Sequence, residues 1–110
     1  MRDLQRRLCE WQNRNFEPVE PAHRALQLTL GVCEEAGELS HAILKRDQGI
    51  RGTREEHDAD AKDAIADVVI YAMNLCSHEG WDFESIVRET AEKVMKRDWQ
   101  KNRANGGENA

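Results

Sequence analysis

The chain predicts an all-α fold, a four-helix bundle assembled as a homo-oligomer. The assembly is expected because so short a chain cannot bury the apolar faces of at least three helices alone, and three observations carry the helical fold. Apolar residues recur at three- and four-residue spacing in four separate stretches. Strand-type alternation and internal repeats are absent. Proline, glycine and capping residues stand at the places where those stretches begin and end. With 110 residues the chain is long enough for one domain, placed at 1–103, with 104–110 read as a disordered tail.

The first helix is expected from Asp3 to about Phe16, where Leu4, Leu8, Trp11 and Asn15 share a stripe. Pro18 and Pro21 break it, because a proline ring clashes with a continuing helix. The second runs from about Ala22 to Arg46. Its apolar stripe is Leu26, Leu30, Cys33, Gly37 and Ile43, widened by Leu28, Val32 and Leu39, and Gly49 and Gly52 mark the loop that follows. Thr53-Arg54-Glu55-Glu56 has the form of a capping box, which starts the third helix near Arg54. That helix is polar at first and core-like from Ala61 to Cys76. Val68-Val69-Ile70 taken alone reads as a strand, but its turn-free setting favours helix. Gly80 suits the left-handed position that ends it. Asp82 caps the fourth helix, in which Phe83, Ile86, Val87, Thr90, Val94 and Trp99 keep helical spacing.

Composition narrows the function classes. A net charge of −5 argues against a general nucleic-acid binder, which would be basic. Three cysteines with no C-x-x-C argue against a disulfide framework or zinc knuckle and suit buried reduced thiols in a cytoplasmic protein. The first residues hold no apolar run of signal-peptide type, and no stretch approaches the ~20 apolar residues of a membrane span.

The chemistry lies in two acidic motifs. Glu35 and Glu38 share a face of the second helix, and Asp63 and Asp67 share a face of the third. At the positions three and four residues from Glu35, Glu38 and Asp67 there is no lysine or arginine. A solvated helix face is the ordinary explanation of an E-E-x-x-E. Here the missing cations, the apolar neighbours Leu30, Cys33, Leu39 and Ile43, and the second acidic pair inside an apolar stretch argue against it. If the second and third helices pack antiparallel, the two pairs face each other as an oxygen-only site. Magnesium or manganese suits such a site, and a magnesium ion held this way shares open positions with phosphates.

E-E-A-G-E-L followed by D-x-x-x-D-V-V-I-Y resembles the MazG-like members of the all-α nucleoside triphosphate pyrophosphohydrolases, over about residues 4 to 103. The resemblance implies magnesium-dependent hydrolysis of a nucleoside triphosphate between the α and β phosphates, giving a monophosphate and pyrophosphate. It implies a role in nucleotide-pool house-cleaning or control, and a homodimer or dimer of dimers. It makes Glu35, Glu38 and Asp67 metal ligands, with Glu34 orienting water or supporting the ligands. One departure stands out. Ala64 occupies the place three before Asp67 where the family carries glutamate, and Asp63 is the substitute, with a shorter reach.

Further candidates come from spacing. Lys93 and Arg97 are candidate phosphate contacts, with pairing to Glu89 and Glu92 as the competing role, and Arg51 is another from the loop. The resemblance makes Trp11 and Phe16 candidates for stacking on a base, as aromatic residues in this region of relatives do, against core packing for Trp11. Asn74 is a candidate for a hydrogen bond to base or sugar, against a helix contact. His23, His57 and His78 read as surface or turn residues. Glu38-x-x-His41 opens a second class, a di-iron carboxylate bundle, although such proteins need two copies of that motif. A non-catalytic helical interaction protein is the third.

Overall fold

Pro21 opens the longest helix. A proline at the first helical position loses nothing, since its missing N–H would have had no intrahelical partner. The computed structural model describes residues 1–16 and 19–107 and arranges them as four α-helices: α1 (Arg2–Asn15), α2 (Pro21–Gln48), α3 (Arg54–Glu79) and α4 (Phe83–Met95). Pro18, the other expected breaker, lies outside the described residues. No described helix is long and apolar enough to cross a membrane.

The caps follow from local chemistry. The Thr53 hydroxyl accepts from the Glu56 N–H at 3.1 Å, and the Asp82 carboxylate accepts from the Ser85 N–H at 3.1 Å. Gly80 ends α3 at φ 78°, a left-handed value that a side chain resists.

Helices α2 and α3 run antiparallel along most of their length. Arg46 pairs with Asp58 at 3.0 Å near the loop, and Gly31 lies against Tyr71 farther along. Helix α1 crosses α3 through buried Gln5. Its Nε2 donates to the Ser77 hydroxyl at 3.1 Å and the Trp81 carbonyl at 3.0 Å, and its Oε1 accepts from the Phe83 N–H at 3.0 Å. One glutamine thus ties α1, the end of α3 and the start of α4 together. Arg2 reinforces the join through Asp82 and Glu84. The backbones of α1 and α2 do not meet, so a cleft opens between them above α3.

Three expectations change. The face of α2 that packs on α3 is Leu28, Gly31, Glu35 and Ala42. The stripe read as core, Leu26, Leu30, Cys33 and Gly37, is exposed, with Leu26 and Leu30 at 55% and 57%. The helix is apolar on two sides, and α3 covers only one. For the same reason Cys33 is exposed, whereas Cys76 is buried. His57 is buried, not superficial, and its Nε2 lies 2.9 Å from the Ile50 carbonyl. His57, Ala61 and Ala64, at four- and three-residue steps, share the face of α3 that is turned inward. Helix α4 stops at Met95 rather than continuing through Trp99. The Asp98 carboxylate accepts from the Gln100 and Lys101 N–H groups at 3.1 Å each, offering the backbone a turn in place of a helix. Residues 96–107 form turns in which Gly106 packs on Arg97.

The chain is extended for its size. Its radius of gyration is 17.6 Å, against about 13 Å for a compact domain of this length. No residue of α4 is buried.

Candidate active site

A cleft of about 440 Å³ lies between α1 and α2, with α3 as its floor. Asp67, Tyr71 and Asn74 line it from α3, at steps of four and three residues that keep them on one face. Glu35 and Leu28 face them from α2, joined by Arg24 and Gln27. Trp11 and Gln12 close the third side from α1, with Phe16 just beyond. Trp11 and Phe16 meet edge to face, ring centres 5.7 Å apart, and both remain largely exposed. Trp11 is therefore cleft wall rather than core.

Glu35 is the centre of the acidic group. It is only 9% exposed, and its Oε2 is buried with no hydrogen-bond partner. Burial pushes its carboxyl above the usual range, and the neighbouring charges of Glu38, Asp67, Glu34 and Asp63 push the same way. Glu34, Glu35 and Glu38 each bring a carboxylate oxygen within 4.8 Å of the others. Asp63 and Asp67 are outside that trio. Asp67 faces Glu35 in the cleft. Asp63 lines a separate hollow with Glu38, His41 and Asp60, about one turn farther along both helices. Among the described residues, no ion pair engages Glu34, Glu35, Glu38, Asp63 or Asp67.

An orphaned buried carboxylate oxygen, two more carboxylates within reach and an all-oxygen donor set fit a hard divalent cation. They do not fit a purely structural ion pair, because among the described residues no lysine or arginine pairs with any of them.

Tyr71 deserves its place beside them. Burial raises its phenol above the ordinary value, and the charges of Glu34, Glu35 and Asp67 add to the rise. The ring lies so close to α2 that a Cβ on Gly31 would overlap it. Sequence reasoning passed over Tyr71, Gln12 and Arg24. Tyr71 was legible in principle, as the step between Asp67 and Asn74 on one helical face. Gln12 was not, since nothing in α1 says which residue of α3 it meets.

Lys93 sits on α4 and Arg97 in the turns after it, and neither lines the cleft within one chain. Arg51 stands in the exposed loop with φ 64°. His41 faces the second hollow and is not one of the clustered trio.

The sequence model of the MazG nucleotide pyrophosphohydrolase domain matches residues 23–101, which span α2, α3 and α4 and both acidic motifs. The chain belongs to the MazG family. No curated protein and no solved structure matches it. Helix α1, with Trp11 and Gln12, precedes the matched stretch, so in this MazG domain one wall of the cleft comes from outside it.

The Gly31–Tyr71 contact in the MazG domain yields a two-sided expectation. Gly31→Ala alone should destabilise, because overpacking of about 1–3 kcal/mol outweighs a helix-propensity gain of about 1 kcal/mol. In a Tyr71→Ala background the same change should stabilise by about 1 kcal/mol, since only the propensity gain remains. Urea denaturation of the four proteins in the cycle measures both. Equal effects in the two backgrounds would show that the ring does not constrain Gly31.

Proposed function

We propose that the protein hydrolyses a nucleoside triphosphate between its α and β phosphates, releasing a nucleoside monophosphate and pyrophosphate. The observation that carries this is the buried, partnerless oxygen of Glu35 at one end of a cleft whose other end is aromatic and amide-lined. A nucleotide has the matching polarity, with phosphates at one end and a flat base at the other.

Glu35, Glu38 and Asp67 would hold a divalent cation, magnesium or manganese, with Asp63 reaching it from the next turn. When bound, the ion neutralises charge on the phosphate oxygens and lowers the pKa of a coordinated water. The rest falls to side chains. Glu34, exposed beside Glu35, would accept a proton from the attacking water. Trp11 and Phe16 present ring faces and edges against which a base can lie.

We further propose that the working form is a homo-oligomer. The extended shape, the uncovered Leu26–Leu30 side of α2 and the unburied α4 support it. Lys93 and Arg97, which do not line the cleft of their own chain, would reach that of a partner. Nucleotide-pool control is the physiological role in keeping with this chemistry.

The test is a panel of ribo- and deoxynucleoside triphosphates with magnesium, scored by pyrophosphate release. At least one should be turned over, and a Glu38→Gln variant should be slower by roughly 10²- to 10³-fold, as for loss of one electrostatic contact at the reacting centre. Release no faster than the variant on every nucleotide would remove the assignment.

A further inference from the structure

At the end of the cleft away from the carboxylates stands a second orphaned atom. Asn74 is 4% exposed, and its Oδ1 is buried with no hydrogen-bond partner. Its Nδ2 is engaged, donating to Gln12 Oε1 at 3.4 Å. A buried carbonyl without a donor costs free energy, and natural structures leave few of them unless something arrives to fill the position. Asn74 lines the cleft, on the floor beside the wall that carries Trp11 and Gln12.

We infer that Asn74 reads the base of the nucleotide, its Oδ1 accepting a hydrogen bond from an N–H on the base edge while Gln12 fixes the orientation of the amide. This rests on the nucleotide reading given above and adds the group that selects among nucleotides. Distance favours base over sugar. Asn74 lies seven residues beyond Asp67 on α3, about 10 Å at 1.5 Å per residue. Sugar and base together span that length from a phosphate held at Asp67, and the sugar alone does not. The aromatic pair Trp11–Phe16 lines the same end, where a base would stack. The ligand class is a nucleobase with an amino or imino N–H on its hydrogen-bonding edge. A base with ring nitrogens and carbonyls only would leave Oδ1 unfilled.

The experiment measures binding, so it does not require turnover. Titration calorimetry with magnesium compares α,β-imido triphosphates of cytosine, uracil, adenine and guanine deoxynucleosides with those of 2-pyrimidinone and unsubstituted purine, whose edges carry no N–H. A 2′,3′-dideoxy counterpart of the tightest ligand tests the sugar. The wild type should bind the donor-free base about 10- to 100-fold more weakly than the best natural base of the same ring size, and Asn74→Leu should shrink that gap to less than about 3-fold. Leucine matches asparagine in shape and the half-buried Gln12 can turn its freed Oε1 to solvent, and the melting temperature of the variant verifies that it folds. A wild type indifferent to the N–H, or a gap that survives in Asn74→Leu, overturns the inference. So does a variant that instead equalises the ligands with and without the 3′-hydroxyl, since Asn74 would then read the sugar. Absence of binding by every nucleotide removes both this inference and the assignment beneath it. Pyrophosphate release without base discrimination sinks only the inference, and base discrimination without release sinks only the hydrolase.

Discussion

A Glu35→Gln variant is expected to melt higher than the parent protein in chelator, and to release almost no pyrophosphate. The two results follow from one cause. Without a bound cation, ionised Glu35 is a buried charge beside four like charges, which burial first and those neighbours second make costly. Its carboxyl is raised above the ordinary 4.5, so just above that pH the folded state holds more protons than the unfolded state. Stability from this group is therefore full below pH 4.5 and is lost as pH rises through the folded value. Asp58 and Asp82 act oppositely. Held below the ordinary 3.8 by Arg46 and by Ser85, they stabilise above that value, and the contribution is lost as pH falls through their folded values. Melting in EDTA across the acid range should show both limbs in the parent, and Glu35→Gln should flatten the upper one. Magnesium should then separate the proteins. At a hundredfold excess over its Kd, a ligand of the native state adds about 2.7 kcal/mol, roughly 10 °C for a domain of this size. The parent should gain this and the variant little. A variant that melts lower than the parent in chelator would mean that Glu35 has a structural partner, and the metal reading would lose its foundation.

Charging the uncovered side of α2 should dissociate the assembly. Leu26 and Leu30 are more than half exposed in the single chain, so Leu26→Glu with Leu30→Glu leaves the contacts of α2 with α3 intact. Each leucine buried at an interface is worth about 1.5–3 kcal/mol. Losing two per copy, and placing carboxylates where apolar surface must meet, should raise the dissociation constant by 10³-fold or more, a factor of ten for each 1.4 kcal/mol. Light scattering at micromolar concentration should show an oligomer for the parent and a monomer for the variant, with the helical circular dichroism unchanged. A monomeric parent would remove the oligomer proposal and leave the extended shape without an explanation. If a partner also brings Lys93 or Arg97 to the cleft, the monomeric variant should lose activity although the mutated residues lie outside that cleft.

Helix boundaries were legible because they are set by neighbours in the chain. Thr53 and Asp82 cap from a few residues away, Gly80 permits a left-handed turn, and Pro21 can only begin a helix. The acidic motifs were legible for a related reason, since helical spacing alone puts Glu35 with Glu38 and Asp63 with Asp67. The packing face of α2 was not legible. The helix carries apolar residues on two sides, and periodicity ranks Leu26-Leu30 no lower than Leu28-Gly31-Glu35. The deciding feature is Gly31, whose missing side chain lets the Tyr71 ring lie against the helix. His57 was misread because its partner is the Ile50 carbonyl, a backbone atom with no signature in composition.

What the sequence determined by itself was the list of helices, their ends except that of α4, and the unpaired acids, all consequences of bonds and spacings within a few residues. What the tertiary structure decided was the assignment of inside and outside. It buried Glu35 and left Glu34 and Glu38 exposed, set Gln12 against Asn74 across the cleft, and kept Lys93 and Arg97 away from it. Those outcomes depend on how far each helix rotates about its axis when it meets its neighbour. That rotation is fixed by side-chain shape at contacts distant in the chain, so no pattern along the chain carries it.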